Sequence, residues 1–207
     1  MTARWSETYD IAAREREVIG EPPRIEPAEA SDLDDEAMDI ILKLRASSGA
    51  GDMKDVPDFM RTMIKHKDVF RCQMQTGTAM FNGRIPPRER ELTILRIGWL
   101  CGAPYEYGQH VVIAKRHGIT SEEIAMVREG SGAPGWSDHE RAILKGVEEL
   151  LDNKAMTDAT WNTLAETWDE ARMIEYTMVV GQYVSTALVQ NAIRVRMENG
   201  IPGLTNT

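Results

Sequence analysis

At 207 residues, 42% hydrophobic and 28% charged, the chain has the length and balance of one globular domain with an extension, not of two full domains or a disordered polymer. Its formal charge of −9 repels polyphosphate, so no nucleic-acid partner is expected, and no apolar run reaches the roughly 18 residues of a spanning helix, so no membrane is expected either. The two cysteines, Cys72 and Cys101, form neither a disulfide framework nor a zinc set, which fits a reduced, cytoplasmic setting.

Residues 1–30 mix both charge signs with Gly20, Pro22, Pro23 and Pro27, which break any long helix. They read as an arm laid over the body or over a neighbouring subunit, with a disordered tail as the alternative. The opening MTARWSETYDIAAREREV lacks the apolar segment of a signal peptide or anchor. Residues 31–207 form the helical domain. Ser31 is placed to cap a helix through Leu33, Met38, Ile41, Leu42 and Leu44, which Ser47, Ser48, Gly49 and Gly51 then break. Pro57 opens a short helix with Phe59, Met60, Met63 and Ile64, and another carries Val69, Phe70, Met74 and Met80 to Gly83. The basic group Arg61, Lys65, His66, Lys67 and Arg71 reads as solvated helix surface.

The stretch from Arg84 to Gly118 is the one place where a dense apolar segment, a proline break and a compact set of ionisable side chains follow one another. Pro86 and Pro87 suit a first helical turn, and the charged run Arg88–Glu91 leads into Leu92, Ile94, Leu95, Ile97, Trp99 and Leu100, predicting a helix that begins wet and ends buried. Gly102, Ala103 and Pro104 interrupt it, and a second helix carries Tyr105, Glu106, Tyr107, Gln109 and His110 before ending at Gly118. Downstream, Thr120 with Glu123 and Ser137 with Glu140 have capping-box spacing and predict helix starts at 121 and 138. The segment GSGAPGW between them reads as a connecting loop. A shorter helix after Thr157 holds Trp161, Leu164 and Trp168, and a long one from Asp169 runs past Val195, apolar on more than one face, as in a helix central to the fold or shared between subunits. No alternating strand segment appears, so the fold class is all-α.

Glu106 and His110 lie four residues apart and share one helix face. A carboxylate beside an imidazole raises its proton affinity, and a partly buried pair can exchange protons near neutral pH. A solvated surface pair is the competing reading, but Trp99, Leu100, Val111, Val112 and Ile113 are too apolar for a freely solvated helix. The corner at Ala103–Pro104 could fold Glu91 back towards this pair. Tyr105 and Tyr107 point to different faces, so at most one lines the same pocket, and Cys101 reads as a small core residue. His66, His117 and His139 read as surface residues. No HExxH and no paired Glu-x-x-His motif is present, so no metal is expected.

The run RIPPRERELTILRIGWLCGAPYEYGQHVVIAKRHGIT resembles the core helix pair of the carboxymuconolactone decarboxylase family, whose wider superfamily includes the alkylhydroperoxidase D proteins. DEARMIEYTMVVGQYVSTALVQNAIRV resembles that family's last long helix, and the likeness spans roughly residues 55–200. In the peroxidase branch a glutamate precedes a Cys-x-x-Cys pair, with a histidine four residues after the second cysteine. On that pattern Glu91 matches the glutamate, Ala103 the first cysteine, Glu106 the second and His110 the histidine. Both thiols are missing, so a dithiol peroxidase is not expected. The resemblance implies an alkylhydroperoxidase D-like helical fold, a homo-oligomer built on trimers, and a cofactor-independent lyase acting on a small anionic carboxylated lactone or aromatic-catabolism intermediate. The catalytic set is then Glu91, Glu106 and His110. His110 is the expected proton donor, held by Glu106, with Glu91 as a second acid/base or a substrate-orienting group, or the two glutamates exchanged. Arg84, Arg88, Arg90 and Arg96 are the nearest candidates to bind the anion. Retro-aldol cleavage, dehydration or isomerisation by the same residues, or a non-catalytic oligomeric ligand-binding module, are the alternatives.

Overall fold

Capping signals become helix boundaries at several points along the chain. The computed structural model describes residues 10–47 and 56–206. Thr120 and Ser137 close full capping boxes on Glu123 and Glu140, starting α7 (Ser121–Glu129) and α8 (Asp138–Asn153) where the sequence predicts them. Thr157 and Asp169 cap α9 (Asp158–Ala165) and α10 (Glu170–Ile193) in the same way, each accepting from a backbone N–H three residues on. The remaining helices are α1 (Ile11–Ile19), α2 (Asp35–Ser47), α3 (Asp58–Met63), α4 (Lys67–Phe81), α5 (Pro87–Leu100) and α6 (Pro104–Arg116). Among the described residues there is no strand, and the fold is all-α.

Some boundaries differ from the sequence reading. Ser31 lies in a 3-10 turn, and Asp34 instead caps α2, accepting from Ala37 N at 3.0 Å. Leu42 is exposed on α2 and so off its buried stripe. The expected break at Ser48–Gly51 lies outside the described residues. α10 stops at Ile193 because Arg194 takes a left-handed conformation (φ 54), so Val195 belongs to the following segment. Of the basic group, Lys65, His66 and Lys67 are exposed; Lys67 pairs with Asp34 and Arg71 with Glu36 and Asp68. The GSGAPGW segment connects α7 to α8 and is held by Arg141, which donates to the Ser131 and Ala133 carbonyls.

α5 is the axis of the molecule. It packs on α6, α7, α8 and α10. Ile94 and Ile97 face a core shared with α8 and α10, whereas Leu92 and Leu95 face a second core with α6 and α7. All four are 0% exposed, and each such burial contributes about 1.5–3 kcal/mol. The wet start is short: Pro87 is exposed and Arg88 and Glu89 are half-buried, but Arg90 (3% exposed) and Glu91 (0%) are already inside. Where α5 crosses α6, Gly98 lies so close that a Cβ would meet Tyr107 backbone at 3.2 Å. α2, α3 and α4 form a third core around Ile41, Ile64, Phe70 and Met74. α1 lies beside α6, and its Glu15 accepts from Thr205 N and Oγ1, at 3.0 and 2.7 Å. Between them the carboxy-terminal segment crosses α6 at Gly108, where any side chain would strike the Pro202 carbonyl. Among the described residues no helix is long and apolar enough to cross a membrane.

Candidate active site

The corner between α5 and α6 sets the geometry. Gly102 supplies the left-handed turn (φ 54), and Ala103 N donates to Gly98 O at 2.9 Å. This turns α6 back along α5 and brings together the three residues singled out from the sequence. His110 Nδ1 lies 2.6 Å from Glu91 Oε2, and His110 Nε2 lies 3.2 Å from Glu106 Oε1. Glu106 and His110 are 4% and 5% exposed, which rules out the solvated surface pair.

The chain of bonds continues at both ends. Behind Glu91, Arg90 Nε donates to Oε1 at 3.0 Å while its guanidinium lies over the Phe81 ring, 4.4 Å from the centroid. Beyond Glu106, Gln190 Nε2 of α10 donates to Oε2 at 2.5 Å. Phe81 stacks on one side of the His110 imidazole and Tyr183 meets it edge-on, with ring centroids 6.3 and 5.1 Å away. Burial pulls the His110 pKa down, but the charges and hydrogen bonds of Glu91 and Glu106 outweigh it and hold the imidazole up at about 9. At neutral pH His110 is therefore an imidazolium donating to two carboxylates. With Arg90 the group balances two positive against two negative charges, which is how so much charge is tolerated inside.

A cavity of about 240 Å³ opens onto only part of this group. Glu106 and His110 line it; Glu91 and Arg90 do not. The remaining wall is mainly apolar, including Phe59, Met60, Met74, Phe81, Ile113 and Ile201, with Tyr105 and Tyr183. Tyr107 sits in the core on the other side, as the two-face argument requires. Burial, and then the Glu106 and Glu91 charges, push the Tyr183 phenol well above its usual pKa, so it stays a neutral hydroxyl. Cys101 is not a lining residue, and burial, with the Glu106 charge, pushes its thiol up to about 12. It offers no thiolate at neutral pH.

None of the four arginines nominated from the sequence lines the cavity. Arg88 is held by Glu123 and Glu140, Arg90 by Glu91 and Arg96 by Glu148, while Arg84 lies 3.8 Å from Asp169. The arginine that does line it is Arg116, at the end of α6. Its signal was present in the sequence: positions 106, 109, 110, 113 and 116 form one helical stripe. Gln182, Thr186 and Gln190 were also missed; they recur every fourth residue as a polar stripe on an otherwise apolar α10. His139 departs from its surface reading. Its ring is half-buried edge-on to Trp168, 5.0 Å between centroids, with Nε2 3.6 Å from Glu89 Oε1.

An all-helical body, in which two helices joined by a tight corner set a glutamate and a histidine beside a cavity roofed by the last long helix, is the alkylhydroperoxidase D-like architecture. Residues 67–149 match the carboxymuconolactone decarboxylase family, and this segment contains Glu91, Glu106 and His110. Among solved structures it is similar to an uncharacterized peroxidase-related protein from Ralstonia eutropha JMP134 with an alkylhydroperoxidase AhpD core, at 18% identity and TM-score 0.74, over 87% of this chain and 95% of that one. It is also similar to the debrominase Bmp8, at 16% identity and TM-score 0.70, over 84% and 92% of the two chains. A third is a putative antioxidant defence protein AhpD from Agrobacterium tumefaciens, at 17% identity and TM-score 0.61, over 66% and 94%. At these identities the likeness is one of fold. No protein of curated function matches the sequence.

Proposed function

We propose that the chain is a cofactor-independent lyase of the decarboxylase type, acting on a small carboxylated ring compound by proton transfer through His110 and Glu106. The supporting observation is the buried Glu91–His110–Glu106 chain, which meets the cavity only through its last two members. In the reaction the bond to a carboxylate breaks, carbon dioxide leaves, and the electron pair passes into an adjacent carbonyl to give an enolate or dienolate. The imidazolium of His110 and the neutral Tyr183 hydroxyl are suited to stabilise that developing negative charge. A proton then passes from His110 Nε2, directly or through Glu106, to carbon, and water restores it. Glu91 is a positioning residue here: fully buried and off the cavity, it fixes the ring and its protonation through Nδ1. This exchanges the roles first assigned to the two glutamates.

The aromatic lining supports a planar ring as substrate, and the debrominase relative is known in complex with 2,3,4-tribromopyrrole. Thiol chemistry finds no support, since the position of the second family cysteine is Glu106 and Cys101 is sealed off. The test is incubation with a panel of carboxylated lactones while carbon dioxide release and proton uptake are recorded. His110→Ala and Glu106→Gln should each lower turnover by orders of magnitude and leave the protein folded by circular dichroism; unchanged turnover in both would sink the assignment.

The same reading includes a homo-oligomer. Ile174, Met178 and Leu188 stand 65%, 55% and 51% exposed along one line of α10, an apolar face that supports pairing with another copy. Met178→Glu should lower the mass found by analytical ultracentrifugation, and an unchanged mass would remove this face from the interface.

A further inference from the structure

We infer that the cavity takes a rod-shaped ligand, anionic at one end and bearing a hydrogen-bond donor at the other, with Arg116 receiving the anion and Gln190 Oε1 the donor. This rests on the proposal that the cavity is the substrate site, and it specifies the class of molecule admitted.

Arg116 is exposed and lines the cavity, and it has no carboxylate partner among the described residues. The other charged groups of the wall, Glu106 and His110, are bonded to each other. Glu198, close behind the wall, is already engaged by Tyr105 Oη and Gln109 Nε2 at 2.7 Å each and by Asp58 N at 2.8 Å. The Arg116 charge is therefore left for a ligand. Six residues separate it from His110, about 9 Å along the helix axis, and helical side chains lean towards the N-terminus, which aims Arg116 back along the stripe. An anion held there cannot be the group that reacts at His110. It is a handle, and binding energy from such a remote group can be used to position the reacting end.

Gln190 marks the reacting end. A carboxylate only accepts hydrogen bonds, so the bond to Glu106 fixes the amide with its nitrogen towards that group. Oε1 is then left buried without a partner, in a residue 2% exposed that lines the cavity. A buried carbonyl oxygen in that state is costly, and a ligand hydroxyl or N–H beside Glu106 satisfies it. The rest of the wall is mainly aromatic and aliphatic, which favours an apolar ring as the body of the ligand.

The probe is 3-(4-hydroxyphenyl)propanoate, whose carboxylate and hydroxyl sit at opposite ends of one ring. It is compared by calorimetry at pH 7.5 and low salt with 3-phenylpropanoate, which lacks the hydroxyl, and with 3-(4-hydroxyphenyl)propanamide, which lacks the charge. The acid should bind about tenfold tighter than the amide, and about fivefold tighter than the compound without the hydroxyl, that is, about 1.4 and 0.9 kcal/mol. Arg116→Gln should erase the first preference and keep the second; Gln190→Met should do the reverse. Equal affinities across the three compounds, no binding to folded wild-type protein, or a preference surviving its own substitution would each overturn the inference. If Gln190→Met does not fold, the wild-type comparison of hydroxyl against hydrogen decides alone. These measurements read binding only. Absence of carbon dioxide release from the lactone panel therefore defeats the lyase proposal and leaves this one standing, and turnover without binding of the probe does the opposite.

Discussion

Two ion clusters are buried against α5, and they differ in what they leave open. Around Arg96 the guanidinium is consumed: it reaches Glu148 at 2.9 Å and the Val127 and Arg128 carbonyls at 3.0 and 2.8 Å, while Glu148 also takes Ser131 N and Oγ. The cluster contains no histidine and does not line the cavity beside His110. Around His110 the chain from Arg90 to Gln190 contains a titratable ring, meets a cavity at three members, and ends on an acceptor without a partner. Burial and charge are common to both. Closure distinguishes a clamp from a site: a fully satisfied cluster can only hold helices together, whereas an open one can exchange a proton with something that enters.

Breaking each cluster should separate the two roles. His110→Ala should lower kcat by about 10³-fold, the middle of the range for a general acid, and should also cost stability, because it leaves Glu91 and Glu106 buried with one positive charge fewer. Arg96→Met should cost stability alone. Removing one partner of a buried pair leaves the other uncompensated, so urea unfolding should show a loss of about 3 kcal/mol, near the lower end for such pairs because Glu148 keeps its Ser131 bonds. The protein that remains folded should retain its kcat. If Arg96→Met abolished turnover in a folded protein, the division drawn here would be wrong.

Much of this was legible in local sequence signals, for a physical reason. Capping boxes at Thr120 and Ser137 act within four residues, so their helix starts follow from the sequence alone. The Glu106–His110 pair is likewise one helical turn. Partnerships between elements were less accessible. That Glu91 reaches His110 depends on the closeness of two helices at Gly98, and that Arg88 and Arg96 face away from the cavity depends on Glu123, Glu140 and Glu148 in other helices. Four arginines near Glu91 in sequence looked equivalent; acidic residues elsewhere in the chain neutralise three of them. Arg116, further off in sequence, became the lining cation through its register on α6 alone.

Glu91 is the finest test of the open cluster, because it touches the histidine but not the cavity. The His110 pKa stands at about 9 against an ordinary value of 6.5, held up against burial first by the Glu91 charge and then by Glu106. A folded-state pKa raised in this way contributes stability that is fully present below about 6.5 and is lost as pH rises through about 9. The activity of a protonated His110 should fall over that same alkaline limb. Glu91→Gln keeps the shape of the side chain and removes its charge, so the alkaline limb of kcat/KM and the titration of the His110 ring signal by NMR should move together to lower pH. At neutral pH kcat should fall about tenfold, less than for loss of the ring itself, because Glu106 still faces the imidazole. A limb that stayed in place while kcat fell would mean that Glu91 only packs the ring, and a proton-holding role would have to be given to Glu106 alone.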